Sequence, residues 1–108
     1  MKNENSINVI IKRPGEIPHA VQVKNELHEL QRVVGGYIET VTITTDLVII
    51  CNEEGRLLGL DPNCTVCGVS FVGNIIIAAY DDEGNFTDVK LSHDELMQIF
   101  PNLYGGAV

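Results

Sequence analysis

The chain alternates between short β-type apolar runs and two short helical patterns. Ser6 to Lys12 (SINVIIK) is rich in β-branched residues and predicts a strand. Arg13-Pro14-Gly15 is turn chemistry, and Pro18 opens a second strand over His19 to Val23, with Val21 and Val23 on one face. The two read as a hairpin. Asn25 has the side chain of a helix N-cap, and Leu27, Leu30 and Val34 recur at helical spacing. Gly35-Gly36 follows as a stop, because glycine takes the left-handed conformation that ends helices without steric cost. A helix is therefore predicted over about 26–34.

Tyr37 to Thr44 (YIETVTIT) alternates with period two, and Thr45-Asp46 turns the chain. Leu47 to Asn52 (LVIICN) is almost wholly apolar, as a central strand covered on both faces would be. Glu53-Glu54-Gly55 is a turn, Arg56 to Leu60 a short extended piece, and Asp61-Pro62-Asn63 a breaker. Cys64 to Val69 carries no clear period. The last long strand lies within Val69 to Tyr80, with Gly73-Asn74 as a bulge or bend before Ile75-Ile76-Ile77. Asp81 to Asn85 turns, and Phe86 to Lys90 is loop or edge strand. Ser92 and Glu95 form a capping box at the head of a second helix over about 93–100, its apolar side made by Leu96 with Ile99 and Phe100. The expected fold is α+β: one domain over 1–108, a mostly antiparallel sheet of five or six strands, and two short helices.

Composition narrows the function. Apolar residues make up 44%, which argues against wholesale disorder. No apolar run approaches the roughly 18–20 residues of a membrane span, and MKNENSINVI lacks a signal-peptide pattern, so a cytoplasmic protein is expected. Net charge is −8, concentrated after residue 34, where eleven acids face only Arg56 and Lys90. That disfavours direct nucleic-acid binding, which needs Lys and Arg on phosphates. It leaves open an acidic surface that imitates a nucleic acid. With few strands, an exposed edge is expected, and pairing would cover it as a homo-oligomer.

Three cysteines do not make a disulfide framework. Cys64-Thr65-Val66-Cys67 supplies two metal ligands where a structural zinc needs four. Cys51 could be a third, and His19, His28 or His93 a fourth, but no second pair stands at a standard spacing. Thiols packed in the fold are the simpler account, and neither metal nor cofactor is expected. The histidines are scattered and define no catalytic triad. Asp81, Asp82 and Glu83 lack the ligand spacing of a calcium loop.

Gly35-Gly36 follows a helix, so it is no phosphate loop; those precede one. The glycines do permit close approach of a ligand or partner. The polar groups around them are the candidate binding set: Gln31, Gly36, Tyr37, Glu39, Asn52, Glu54, Asn63 and Asn74. Nothing among them forms a nucleophile–base pair, so a non-enzymatic binding role is expected.

Taken together, Leu30-Gln31, Val34 to Glu39 (VGGYIE), Cys51 to Leu60 (CNEEGRLLGL), Asn63, the Gly73-led strand and the acidic turn with its closing capped helix resemble a family of small acidic proteins of unknown function. Its members are encoded largely by phages, prophages, plasmids and other mobile elements. The Cys64–Cys67 pair departs from that pattern. The resemblance implies an accessory protein, often one that counters a host defence, working in the host cytoplasm. Two mechanisms follow: sequestering a small polar, nucleotide-derived signal, or blocking a host protein with an acidic surface.

Overall fold

A computed structural model describes residues 5–99, without the side chains of His93 and Ile99. The expected end of the second helix at Phe100, and the tail from Pro101, lie outside them. The elements run β1 (Ser6–Lys12), β2 (His19–Lys24), α1 (Leu27–Val34), β3 (Ile38–Thr42), β4 (Leu47–Asn52), β5 (Pro62–Val66), β6 (Val69–Val72), β7 (Ile75–Tyr80), β8 (Phe86–Thr87) and α2 (His93–Ile99).

Six strands form one antiparallel sheet in the order β2-β1-β7-β4-β3, with β8 paired to the far end of β7. The apolar runs sit where their pattern demands. β7 is the centre, with Ile75 to Ala78 fully buried, and neighbouring β4 is buried along its whole length. Fully burying each such isoleucine contributes about 1.5–3 kcal/mol, which makes this pair of strands the main hydrophobic anchor.

Alternation along the strands divides the core into two layers. On one face Ile7, Val9, Ile11, Val48, Ile50, Ile76 and Ala78 meet Leu30 and Val34 of α1. On the other, Ile10, Ile49, Cys51, Ile75 and Ile77 meet Cys64, Val66 and Phe71 of a separate β5–β6 hairpin, together with Leu96 of α2. The architecture is α+β, and the sheet is covered by a helix on one side and by a hairpin with a helix on the other.

Four local expectations change. Asn25 does not cap α1: Glu26 is the N-cap, with extended backbone and no side-chain cap. The Asn25 amide instead donates to the Phe86 carbonyl, 3.1 Å away, which ties β2 to β8. Leu27 is exposed, so the apolar stripe of α1 is narrow. Arg56 to Leu60 is not extended. Leu58 N–H bonds Glu54 C=O and Leu60 N–H bonds Gly55 C=O, so local turns replace a ladder. The unread stretch around Cys64 is the β5–β6 hairpin, and Asp61-Pro62-Asn63 leads into it rather than breaking it, with Pro62 tolerated as the strand's first residue.

The other punctuation behaves as read. Gly35 is left-handed (φ 81°) and its N–H reaches Gln31 C=O at 2.8 Å. Ser92 Oγ accepts from Glu95 N–H at 3.1 Å, while Glu95 Oε1 accepts from Ser92 N–H at 3.2 Å. Among the described residues no helix is long and apolar enough to cross a membrane.

Candidate functional site

The antiparallel pairing brings one end of the sheet together: the last residues of β1 and β4, the first of β3 and β7, and the C-terminus of α1. Helix C-termini leave carbonyls without intrahelical partners. Here two asparagines satisfy them. Asn52 Nδ2 donates to Val34 C=O at 3.1 Å, and Asn74 Nδ2 donates to Val33 C=O at 3.0 Å. Asn52 Oδ1 also accepts from Glu54 N–H at 2.8 Å, which shapes the turn after β4. Gly36 passes so close that a Cβ there would sit 2.9 Å from Asn52 Nδ2. The glycine is needed for the asparagine.

Three clefts surround this knot. One, of about 440 Å³, is lined by Gln31, Arg32, Gly35, Gly36, Tyr37, Asn52, Glu54 and Leu58. A second, about 420 Å³, lies on the other side of Gly35 and is lined by Arg13, Pro14, Glu16, Arg32, Val33, Val34, Gly35, Leu60, Asp61, Gly73 and Asn74. A third, about 260 Å³, runs between β3, the turn after β4 and β6, and includes Glu39, Asn52, Glu53, Arg56 and Leu57. The first two fall in the size range of small-molecule sites.

Of the eight residues expected to bind, the first cleft gathers Gln31, Gly36, Tyr37, Asn52 and Glu54. Asn74 lines the second and Glu39 the third. Asn63 lines none of the three. It is buried at the bulge in β5, and its Nδ2 donates to Lys12 C=O at 2.8 Å and Gly73 C=O at 2.7 Å. The asparagines are thus engaged by the fold, and the side chains left facing the clefts are Gln31, Tyr37 (66% exposed) and Glu54 in the first and Glu39 in the third.

Sequence reasoning missed the arginines. Arg13, Arg32 and Arg56 are all the arginines of the chain, and each lines a cleft at this one end. Arg32 lines two of them. Its Nε and Nη2 bond Glu29 Oε2 at 3.3 and 3.0 Å, and this partner holds the Glu29 carboxyl below its ordinary range. Arg56 Nη2 donates to Ser70 C=O at 2.8 Å. A tally of charge along the chain could not reveal this, because the three come from separate segments.

His19 and His28 stand apart from the three clefts: His19 begins β2, and His28 lies 3.5 Å from Glu26 and 3.9 Å from Glu29 on the outer face of α1. Among the described residues no group of three or more His, Cys, Asp or Glu could hold a metal. The CxxC pair is split by the hairpin. Cys64 points into the core, whereas Cys67 is exposed in a two-residue turn with φ 50°, followed by Gly68 at 81°. Positive φ at both positions is the hairpin turn that Cys67-Gly68 encodes.

Burial and the nearby Glu39 charge push the Cys51 thiol up to about 11, and burial raises Cys64 as well. Since the thiolate is the reactive form, iodoacetamide at pH 8 is expected to modify Cys67 first. Mass spectrometry should show a single adduct before any second. Equal labelling of Cys51 or Cys64 in the native protein would contradict this assignment.

The chain matches the model of a family described as Domain of unknown function (DUF3846) over residues 7–103, and it belongs to that family. No curated protein and no solved structure matches it.

Proposed function

We propose that this member of the DUF3846 family is a non-enzymatic binding protein for a small anionic, nucleotide-derived molecule, held in the two clefts that meet at Gly35. The observation that carries this reading is the placing of every arginine at one end of a chain of net charge −8. Arg32 borders both clefts and Arg13 lines the further one together with Glu16 and Asp61, so a phosphate held there draws on the guanidinium groups against those two carboxylates. Tyr37 and Leu58 offer an exposed ring and an apolar side chain on which a base stacks. Gln31 and Glu54 bond its polar edge or a ribose hydroxyl. Bare backbone at Gly35 and Gly36 lets the ligand approach closely.

Such a protein works by holding the molecule away from its receptor. In the phage or mobile-element setting that the sequence resemblance implies, the molecule is a host defence signal and the protein acts in the host cytoplasm.

The alternative is an acidic inhibitor of a host protein. It draws on Asp46, Asp81, Asp82 and Glu83. Two turns gather these at the opposite end of the sheet, where Tyr80 N–H bonds Asp46 C=O at 2.8 Å. The amides of Asn85 and Glu83 hold the Asp81 carboxyl below its ordinary range, so it stays charged. The acids nevertheless divide between this end and the clefts, which Glu16, Glu39, Glu53, Glu54 and Asp61 line, and that division favours the ligand reading.

Calorimetry with mono-, di- and cyclic nucleotides, each beside its nucleoside, tests the choice. Binding is expected for a phosphorylated compound and not for its nucleoside. Arg32→Ala and Tyr37→Ala should each weaken it by about tenfold or more, since a charge-assisted contact is worth about 1.5–3 kcal/mol and a stacked base about 1–3. Glu29→Gln, which frees Arg32, should tighten it severalfold. If no phosphorylated nucleotide binds, while substitutions at Asp81 and Asp82 abolish capture of a host protein, the inhibitor reading replaces this one.

A further inference from the structure

The two edges of the main sheet are unlike each other. In β3, Glu53 N–H bonds Tyr37 C=O and Ile43 N–H bonds Leu47 C=O, both at 2.8 Å. With the register Glu39↔Cys51 and Val41↔Ile49, this fixes Tyr37, Glu39, Val41 and Ile43 as the residues whose main chain faces β4. Ile38, Thr40 and Thr42 therefore turn their N–H and C=O groups to the open side. The same reasoning on β2, anchored by the Asn25 N–H to Asn5 C=O bond, turns Ala20, Gln22 and Lys24 outward.

Open edges recruit further strands unless something blunts them. β2 is blunted: Pro18 leads into it and charged Lys24 stands on its outward row. β3 has no proline, no lysine and no bulge, and its outward row is uncharged. The outer edge of β6, close by, is also occupied, because Arg56 clips the Ser70 carbonyl. Of these three edges, β3 is the one on which no blunting feature stands among the described residues.

We infer that β3 pairs antiparallel with β3 of a second copy, on a twofold axis through Thr40, to make one continuous sheet across a homodimer. The strand is self-complementary in this register. Thr40 meets Thr40 of the second copy as a hydrogen-bonded pair. Ile38 and Thr42 exchange main-chain bonds with each other's counterparts. Glu39, the one charge, falls opposite Val41 and not opposite its own copy. The two Glu39 are then diagonal neighbours, about 7–8 Å apart, and Arg56 lines the same groove as each. Cross-strand Thr–Thr pairs are favourable and directly opposed like charges are not, so the charges permit this axis. The exposed Leu57 and Val69 border the groove beside β3, and a second copy would cover part of that apolar surface. A closed isologous dimer uses up the edge, whereas a heterologous contact would leave another open.

Thr40→Pro tests this, with Gln22→Pro as its matched control. Each removes an outward N–H that makes no bond within the chain's own sheet. Light scattering behind size exclusion should give twice the chain mass of 11.9 kDa for the wild type and for Gln22→Pro. Thr40→Pro should give a single chain mass, with far-ultraviolet dichroism unchanged, and at least a tenfold weaker dimer by sedimentation equilibrium. A wild type that stays monomeric at high micromolar concentration overturns the proposal, as does Thr40→Pro remaining dimeric. If Thr40→Pro loses its fold, Thr40→Lys replaces it, placing like charges opposite each other on the axis; a dimer unaffected by that change also overturns the proposal.

Discussion

Asn63→Asp is expected to lower the unfolding free energy by about 3–5 kcal/mol, the largest loss from any single polar substitution proposed for this chain. Asn63 is 1% exposed and its amide donates to two buried carbonyls, Lys12 at the end of β1 and Gly73 just before β7. It therefore fastens the β5–β6 layer to the two adjacent strands of the main sheet. Its position depends on a bulge. The register shifts between Pro62 and Cys64, which turns both Asn63 and Cys64 inward where strict alternation would send one of them out.

Aspartate keeps the shape and removes the donor. Each buried carbonyl left unsatisfied costs about 1–3 kcal/mol, and a carboxylate set against two carbonyl oxygens is repelled besides. The sign with pH follows. Burial and the facing oxygens would raise the native pKa of the new carboxyl above the roughly 3.9 of the unfolded chain. The variant loses stability as pH rises from about 4 through that raised value and regains part of it on acidification. Urea unfolding at pH 7 and pH 4, beside the wild type, measures both effects. A loss below about 1 kcal/mol at pH 7, or a deficit that grows on acidification, would show that the amide is not the tie described.

Asn63 also shows where sequence reading ends. Its neighbours Asp61 and Pro62 are turn formers, so the segment reads as a breaker and the asparagine as a free polar group beside a pocket. Nothing local announces a bulge that buries it. The same holds for Asn52 and Asn74: both stand near the clefts, as their positions at strand ends imply, but their amides are bound to carbonyls of α1. By contrast, β1 was legible from its β-branched residues, and β4 and β7 from their apolar runs. The stop at Gly35-Gly36 and the Ser92–Glu95 box were legible because their chemistry is contained within four residues. Leu27 misled because helical spacing fixes a face without fixing whether anything covers it. The grouping of Arg13, Arg32 and Arg56 had no signal in sequence order. It is a product of antiparallel topology, which brings the end of β1, the end of α1 and the turn after β4 to one side.

The second large effect is expected at Gly73, where the two physical costs of a side chain can be separated. Gly73 has φ +72°, a conformation that costs an L-residue about 1 kcal/mol or more. A Cβ there would lie 2.6 Å from Leu60 Cδ1. The Leu60 side chain can swing aside, but only by giving up its packing over the glycine, about a further 1 kcal/mol. Gly73→Ala should therefore cost about 2–3 kcal/mol, or about 10–20 °C in melting temperature for a domain of this size. Gly15 is the internal control: its φ is +75°, yet nothing lies within 4 Å of a Cβ. Gly15→Ala should cost the conformational part alone, about half as much. Adding Leu60→Ala should rescue about 1 kcal/mol of the Gly73→Ala loss relative to additivity. Thermal melts of the wild type, the three single variants and the double variant decide the matter. Equal losses at Gly15 and Gly73, with additive behaviour at Leu60, would mean that the close approach of Leu60 contributes nothing and that the left-handed backbone is the whole reason for glycine before β7.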